Sequence, residues 1–283
     1  MSGLDIVEVG FGTTLQDHGR FGYADLGVPR AGAVDRRAHD LANRLVGNHR
    51  DAATIETMRG LVIEARSAAV VASSGDGALR TLRAGDRMRV DAPLGEMWAY
   101  LAVRGGFDVA KVLGSRSRDT LSGLGPPDPV AGDRLSIGPD PGTEMPADLA
   151  PHDPPGTDIH IWDGPQHSWF GPTNVLIGDW SVTSEVSRVG VRLEPATDAQ
   201  REGAEMAGGP SVEGRIDAQR IRAMSSEGLL EGAVQITPSG QPIVMLSNHP
   251  TTGGYPVAAV VDRYDISDVA QARPGAVLRF RPA

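Results

Sequence analysis

The chain has no cysteine, which excludes disulfides, thiolate nucleophiles and cysteine-ligated zinc or iron–sulfur centres. Lysine is almost as scarce: Lys111 stands alone and the other 26 basic residues are arginine. Any Schiff-base or P-loop scheme therefore rests on Lys111, and Val112-Leu113 follow it where a P-loop needs Ser or Thr. Positive charge is in deficit, with 27 Lys and Arg against 36 Asp and Glu and a net charge of −9. That balance argues against nucleic-acid and membrane-surface binding, both of which need a positive face. No run approaches the roughly 18–20 apolar residues that cross a bilayer. Met1–Val9 lacks a basic segment followed by an apolar one, so a cytoplasmic location is expected.

Several catalytic signatures are missing too. There is no Gly-x-Ser-x-Gly elbow, no His-Glu-x-x-His and no Gly-Gly-Ser-Ser-Gly amidase loop. No strand precedes a Gly-x-Gly-x-x-Gly, which removes a Rossmann reading. The histidines (18, 39, 49, 152, 160, 167 and 249) lie without metal-ligand spacing, so no metal site is expected.

What is abundant is glycine and proline, together 57 of 283 positions, in a chain that is still 40% hydrophobic. That combination reads as many short strands joined by turns. Leu4–Val9 alternates as an opening strand. Val34, Ala38, Leu41, Ala42, Leu45 and Val46 form one apolar stripe, the clearest helix signal, with Asp35 in its first turn and Gly47-Asn48 as its stop. The same spacing puts Arg36, Arg37, Asp40, Asn43 and Arg44 on the opposite, solvent side. Short strands are expected at Leu61–Ala65, Ala69–Ala72, Arg87–Val90, Met97–Val103 and Arg134–Ile137. Others follow at Asp158–Trp162, Val189–Leu193, Ala233–Thr237, Ile243–Ser247, Val257–Asp262 and Ala276–Phe280. A polar excursion over Ala196–Met224 ends in a short helix around Ala218–Met224. Residues 139–156 hold six prolines. The expected division is thus a β-rich half over 1–139, a linker over 140–156 and a second β-rich half over 157–283.

Polar residues gather in three glycine-rich stretches, where backbone N–H groups can approach a ligand closely. Thr13–Tyr23 reads either as a ligand loop or as a loop pinned by an Asp17–Arg20 pair, with His18 at the surface. Arg104-Gly-Gly and Gly114-Ser-Arg-Ser-Arg offer forked guanidinium donors for a carboxylate or phosphate, or arginines that satisfy carbonyls between strands. Asn248-His-Pro-Thr-Thr-Gly-Gly-Tyr-Pro places an imidazole, two hydroxyls and a phenol on one turn, again as a site or as a self-capped β-turn.

These stretches also carry a resemblance. Thr14-Leu-Gln-Asp-His-Gly-Arg-Phe-Gly-Tyr, Gly32-Ala-Val-Asp, Leu41-Ala-Asn-Arg-Leu-Val-Gly-Asn and Gly114-Ser-Arg-Ser match blocks of one family in order. Asp163-Gly-Pro-Gln, Arg188-Val-Gly-Val-Arg-Leu, Gly232-Ala-Val-Gln, Gly240-Gln-Pro-Ile-Val and Thr251-Thr-Gly-Gly-Tyr-Pro continue the match through the second half. The sequence resembles the family called allophanate hydrolase subunit 2, KipI antagonist, or the C-type subunit of ATP-dependent 5-oxoprolinase. The same module is part of the carboxyltransferase domain of biotin-dependent urea carboxylase. Asn248 and Ser187 depart from the residues usual in the family, and an amide at 248 cannot serve as a general base.

The resemblance implies a mainly β fold of two barrel-like, cyclophilin-like halves with few helices. It implies partners: an allophanate hydrolase subunit 1-like protein (the B-type subunit), in a heterotetramer or larger assembly, and an A-type subunit for 5-oxoproline cleavage. ATP is implied for the complex; biotin enters only if the chain is instead a carboxyltransferase-type subunit. A non-catalytic regulatory partner of the KipI antagonist type is the other alternative. The missing amidase loop excludes allophanate cleavage, and no Ala-Met-Lys-Met carrier motif is present. With the motif positions, the expected catalytic residues are His249, Arg116 and Thr252. The expected substrate-binding residues are Asp17, Arg20, Asp35, Arg104, Ser115, Gln235, Thr251 and Tyr255.

Overall fold

The computed structural model describes residues 2–151, 153–171, 175–197, 218–222 and 224–283. His152 and most of the excursion over Ala196–Met224 lie outside them. The chain divides into two compact units: residues 1–23 with 30–154, and residues 24–29 with 155–283.

In the first unit, alternation builds two sheets. β1 (Gly3–Glu8), β2 (Thr14–Gln16), β3 (Thr54–Thr57), β4 (Leu61–Ala65), β5 (Ala69–Ser73), β6 (Ala78–Leu82), β7 (Arg87–Val90), β8 (Ala99–Val103) and β9 (Arg134–Ser136) are its strands. One sheet has the order β7-β4-β1-β9 and the other β2-β3-β8-β5-β6. β7 shows the logic: Met88 and Val90 are buried while Arg87 and Arg89 face solvent. Leu4, Ile6, Leu61, Ile63 and Val90 of the first sheet share one core with Leu15, Ile55, Val71, Leu101 and Val103 of the second.

Helix α1 (Arg36–Leu45) is the predicted one, and Asp35 caps it by accepting a hydrogen bond from Ala38 N at 3.1 Å. Such a cap stabilises a helix by about 1 kcal/mol. Asn43, which the spacing places on the solvent side, is fully buried, because its amide donates to Ala52 O and accepts from Asn48. His18, read as a surface residue, is buried as well.

The Pro-rich stretch lies along the first unit. Leu79 N donates to Asp148 O, Ala150 N donates to Gly77 O, and Arg104 Nη2 donates to Thr143 O. The break between the units falls at 154/155.

The second unit contains β10 (Asp158–Asp163), β11 (Gly178–Val186), β12 (Gly190–Pro195), β13 (Glu227–Gly228), β14 (Ala233–Ile236), β15 (Pro242–Met245), β16 (Thr252–Gly253), β17 (Val257–Val261) and β18 (Val277–Pro282). Seven of them close a barrel in the order β10-β17-β14-β15-β12-β11-β18, sealed by the parallel pairing of β18 with β10. α2 (Ala218–Arg222) matches the short helix expected there, and α3 (Ile266–Gln271) precedes β18. The mainly β class expected from the turns and short strands is the one observed. Among the described residues, no helix is long and apolar enough to cross a membrane.

Candidate functional site

Asp17 organises the first cluster. Its Oδ1 accepts hydrogen bonds from Ser115 Oγ and Ser117 Oγ, both at 2.6 Å, and from Gly19 N at 2.8 Å; its Oδ2 accepts from Arg116 N at 2.5 Å. A carboxylate is the one side chain that offers this many acceptor positions to converging donors. The loop after β2 is thereby locked to residues 115–117. Glycine is required here: at Gly19 (φ 87°) a Cβ would sit 2.6 Å from the carbonyl oxygens of Arg30 and Ala31.

The expected Asp17–Arg20 pair is replaced by another contact, Arg20 Nη2 donating to Ser117 O at 2.5 Å. Arg20 is 2% exposed, and its Nε and Nη1 have no hydrogen-bond partner among the described residues. Burial pulls this guanidinium below its usual range, against the opposing pull of Asp119 and Asp17.

Of the remaining first-unit residues, Arg116 donates from Nε to Val109 O. Arg104 donates to Val46 O and Thr143 O and pairs with Asp140, joining the end of α1 to the Pro-rich stretch. Asp35 caps α1, and its backbone N–H donates to Tyr100 Oη at 2.8 Å. Tyr100 in turn donates to Glu56 at 2.7 Å, and burial first, then Glu56 and Asp35, push this phenol well above its usual range.

One group was invisible in linear spacing. His18, His39 and Asp40 converge, with His18 Nε2 2.6 Å and His39 Nδ1 3.1 Å from Asp40 Oδ1. The other ring nitrogen of His18, Nδ1, lies 3.2 Å from Asp51 Oδ1. Burial works against the Asp40 carboxylate, yet the hydrogen bonds from His18 and His39 outweigh it and hold this carboxyl well below its usual range. Asp40 also forms part of the wall of a cleft of about 510 Å³, with Arg44, His49, Arg50, Thr143 and Glu144. Nearby Arg36 is lowered to about 10 by burial and then by Arg30. The only sequence signal was a helical one: His39 and Asn43 lie four apart on the face that α1 buries.

In the second unit, Gln235 supports the turn that holds Thr251, Thr252 and Tyr255. Its Nε2 donates to Tyr255 O at 2.9 Å, and a Cβ at Gly253 would sit 2.6 Å from that nitrogen. Thr252 and Tyr255 are exposed, whereas His249 is buried with Nδ1 2.7 Å from Pro250 O. A second buried amide, Gln166, accepts from Val257 N and donates to Glu227, on the strand β13 that pairs with β16.

Residues 26–282 match the model of the carboxyltransferase domain, subdomain A and B. The chain belongs to that family. It is 33% identical to the C-type subunit of 5-oxoprolinase from Escherichia coli (strain K12), across 98% of this chain and 90% of that protein. It is 32% identical to the urea amidolyase of Lachancea kluyveri, across 99% of this chain but 17% of the larger protein. Among solved structures, the crystal structure of TTHA0988 superposes with a TM-score of 0.82 at 30% identity, covering 99% of this chain and 55% of that one. The K. lactis urea amidolyase superposes with a TM-score of 0.83 at 25% identity, covering 99% and 18%. The carboxyltransferase fold is thus shared along essentially all of this chain, which spans about half of TTHA0988 and under a fifth of the amidolyases.

Proposed function

We propose that this chain is the C-type subunit of an ATP-dependent 5-oxoprolinase, which converts 5-oxo-L-proline, ATP and water into L-glutamate, ADP and phosphate. It acts with an allophanate hydrolase subunit 1-like protein as B-type subunit and with an A-type subunit, and is inactive alone. The observation that supports this most is the end-to-end correspondence with the C-type subunit of the Escherichia coli 5-oxoprolinase, 98% of this chain against 90% of that protein.

The substrate is a lactam, whose planar N–C=O edge needs donors to its oxygen and an acceptor for its N–H. Opening it requires an activated carbonyl, which ATP supplies by phosphorylating the oxygen; fixed donors then stabilise the charge that develops. In the first unit the donor is Arg116, presented by the Ser115–Ser117 loop that Asp17 holds, while buried Arg20 ties its guanidinium to Ser117 O beneath it. The second unit, taken by itself, offers an alternative donor set, the hydroxyls of Thr251 and Thr252 and the phenol of Tyr255, on the turn that Gln235 supports. His249 is the proton carrier, its ring oriented by the carbonyl of Pro250. Asp17 and Ser115 position the loop that carries Arg116, and Gln235 positions the turn that carries Thr251, Thr252 and Tyr255.

The test is reconstitution with the A-type and B-type subunits, reading 5-oxoproline-dependent ATP hydrolysis and glutamate. Activity should fall in Thr252→Val and Arg116→Ala while the complex with the B-type subunit stays intact on size exclusion. Loss of the complex instead would make those loops an interface, and no substrate-dependent hydrolysis by the assembled wild-type proteins would sink the assignment. The likeness to urea amidolyase over 99% of the chain favours a second reading, a carboxyltransferase-type subunit served by a separate biotin carrier. Avidin-sensitive activity on urea or a similar amide would identify it.

A further inference from the structure

We propose that His18, His39 and Asp40 form a binding site for one divalent transition-metal ion of the zinc class, a site independent of the reaction assigned above. One ligand atom from each of the three residues lies within 4.8 Å of the others, His18 Nε2 and His39 Nδ1 both face Asp40 Oδ1, and the two histidines are buried. Around a tetrahedral zinc with bonds near 2.0–2.1 Å, ligand atoms sit about 3.3 Å apart. The 2.6 and 3.1 Å separations from Asp40 therefore need to open by less than about 1 Å.

The frame around the three is stiff. His39 and Asp40 are consecutive on α1, which Asp35 caps, and His18 follows the carboxylate that ties its loop to residues 115–117. Asp51 meets His18 Nδ1, the carboxylate–histidine arrangement that orients a metal-bound imidazole and fixes its tautomer. Asp40 is on the cleft wall, so an ion held there is reachable by water or an oxygen ligand.

Two features weaken the site and set its affinity. Gly105 N donates to Asn48 Oδ1, and Asn48 Nδ2 donates to Val103 O and Asn43 Oδ1. That chain turns the amino group of Asn43 toward His39 Nε2, at 3.4 Å. For His39 to ligate through Nδ1, its proton must move to Nε2 and face that amino group, which lowers affinity about tenfold to a hundredfold. Arg36, close enough to Asp40 to feel its charge, opposes a dication as well. With three protein ligands and these penalties, binding is weaker than at a four-ligand structural site.

The experiment is titration of the chelator-treated full-length chain with Zn²⁺ alone, and with Co²⁺ to read the ligand-field spectrum. One ion per chain is expected, at least ~100-fold weaker in Asp40→Asn and His18→Gln and unchanged in His49→Ala. Asp40→Asn, isosteric on a partly exposed side chain, keeps the test valid should His18→Gln fail to fold. No stoichiometric ion at about 100 µM zinc, or equal binding by wild type and Asp40→Asn, overturns the proposal. So does a loss produced by His49→Ala alone.

Discussion

Asp17 is the residue on which the architecture of the first loop cluster makes its sharpest demand. Four donors converge on its carboxylate, two of them serine hydroxyls with no exposed surface. In Asp17→Asn the amide oxygen can keep the three bonds at the Oδ1 position, but the amino group then confronts the backbone N–H of Arg116. Each retained bond falls from charge-assisted to neutral strength, a loss of about 1 kcal/mol, and the orphaned N–H costs about 1–3 kcal/mol more. Such terms overlap, so a net destabilisation of about 3 kcal/mol is expected, with Asp17→Ala larger and Ser115→Ala near 1.5 kcal/mol. Because the chain has two units, the assay is urea titration read by hydrogen-exchange mass spectrometry on peptides spanning 14–20 and 112–120. Those peptides should lose protection at lower urea than the barrel strands. An Asp17→Asn midpoint equivalent to within ~0.5 kcal/mol of wild type would refute the role of the charge, as would equal losses for the Asn and Ala variants.

Tyr100→Phe leaves Glu56 and the Asp35 N–H without their shared partner in a fully buried site, and should cost about 1–3 kcal/mol in a denaturant melt at pH 7. Since the folded phenol titrates above its unfolded value, Tyr100 contributes fully below about pH 10 and its contribution is lost as pH rises through the folded value. Wild type should therefore lose stability above pH 10 more steeply than Tyr100→Phe, and parallel profiles would exclude the mechanism. Arg104→Ala removes the clamp on Val46 O, Thr143 O and Asp140 and should cost about 1–3 kcal/mol. Limited proteolysis should then cut residues 140–151 faster, while an unchanged rate would mean that the backbone contacts of Leu79 and Ala150 suffice.

The strands that alternate with turn residues at both ends, such as β4, β7 and β17, could be read from sequence, and so could α1. α3 could not, because all six of its residues are buried, polar Ser267, Asp268 and Gln271 included, so it has no amphipathic period. β11 carried alternating Trp180 and Val182, but Thr and Ser elsewhere in it diluted the pattern. Of the glycine-rich clusters read as polar loops, the first contains the short strand β2 and the third contains β16, and their internal bonding was not legible either: Asp17 bonds serines about a hundred residues away rather than the nearby arginine. The grouping of His18 with His39, Asp40 and Asp51 was hidden for the same reason. Only closure of the 17–20 loop against residues 30–33 brings the first histidine onto the helix.

Residues 24–29 interrupt the first unit in sequence yet belong to the second. A fragment beginning at residue 155 is therefore six residues short of its own unit. During synthesis that hexapeptide leaves the ribosome more than a hundred residues before the rest of its unit exists. The late half of the chain must come back to an early one, so gene splitting or module swapping for this protein has to carry the hexapeptide along.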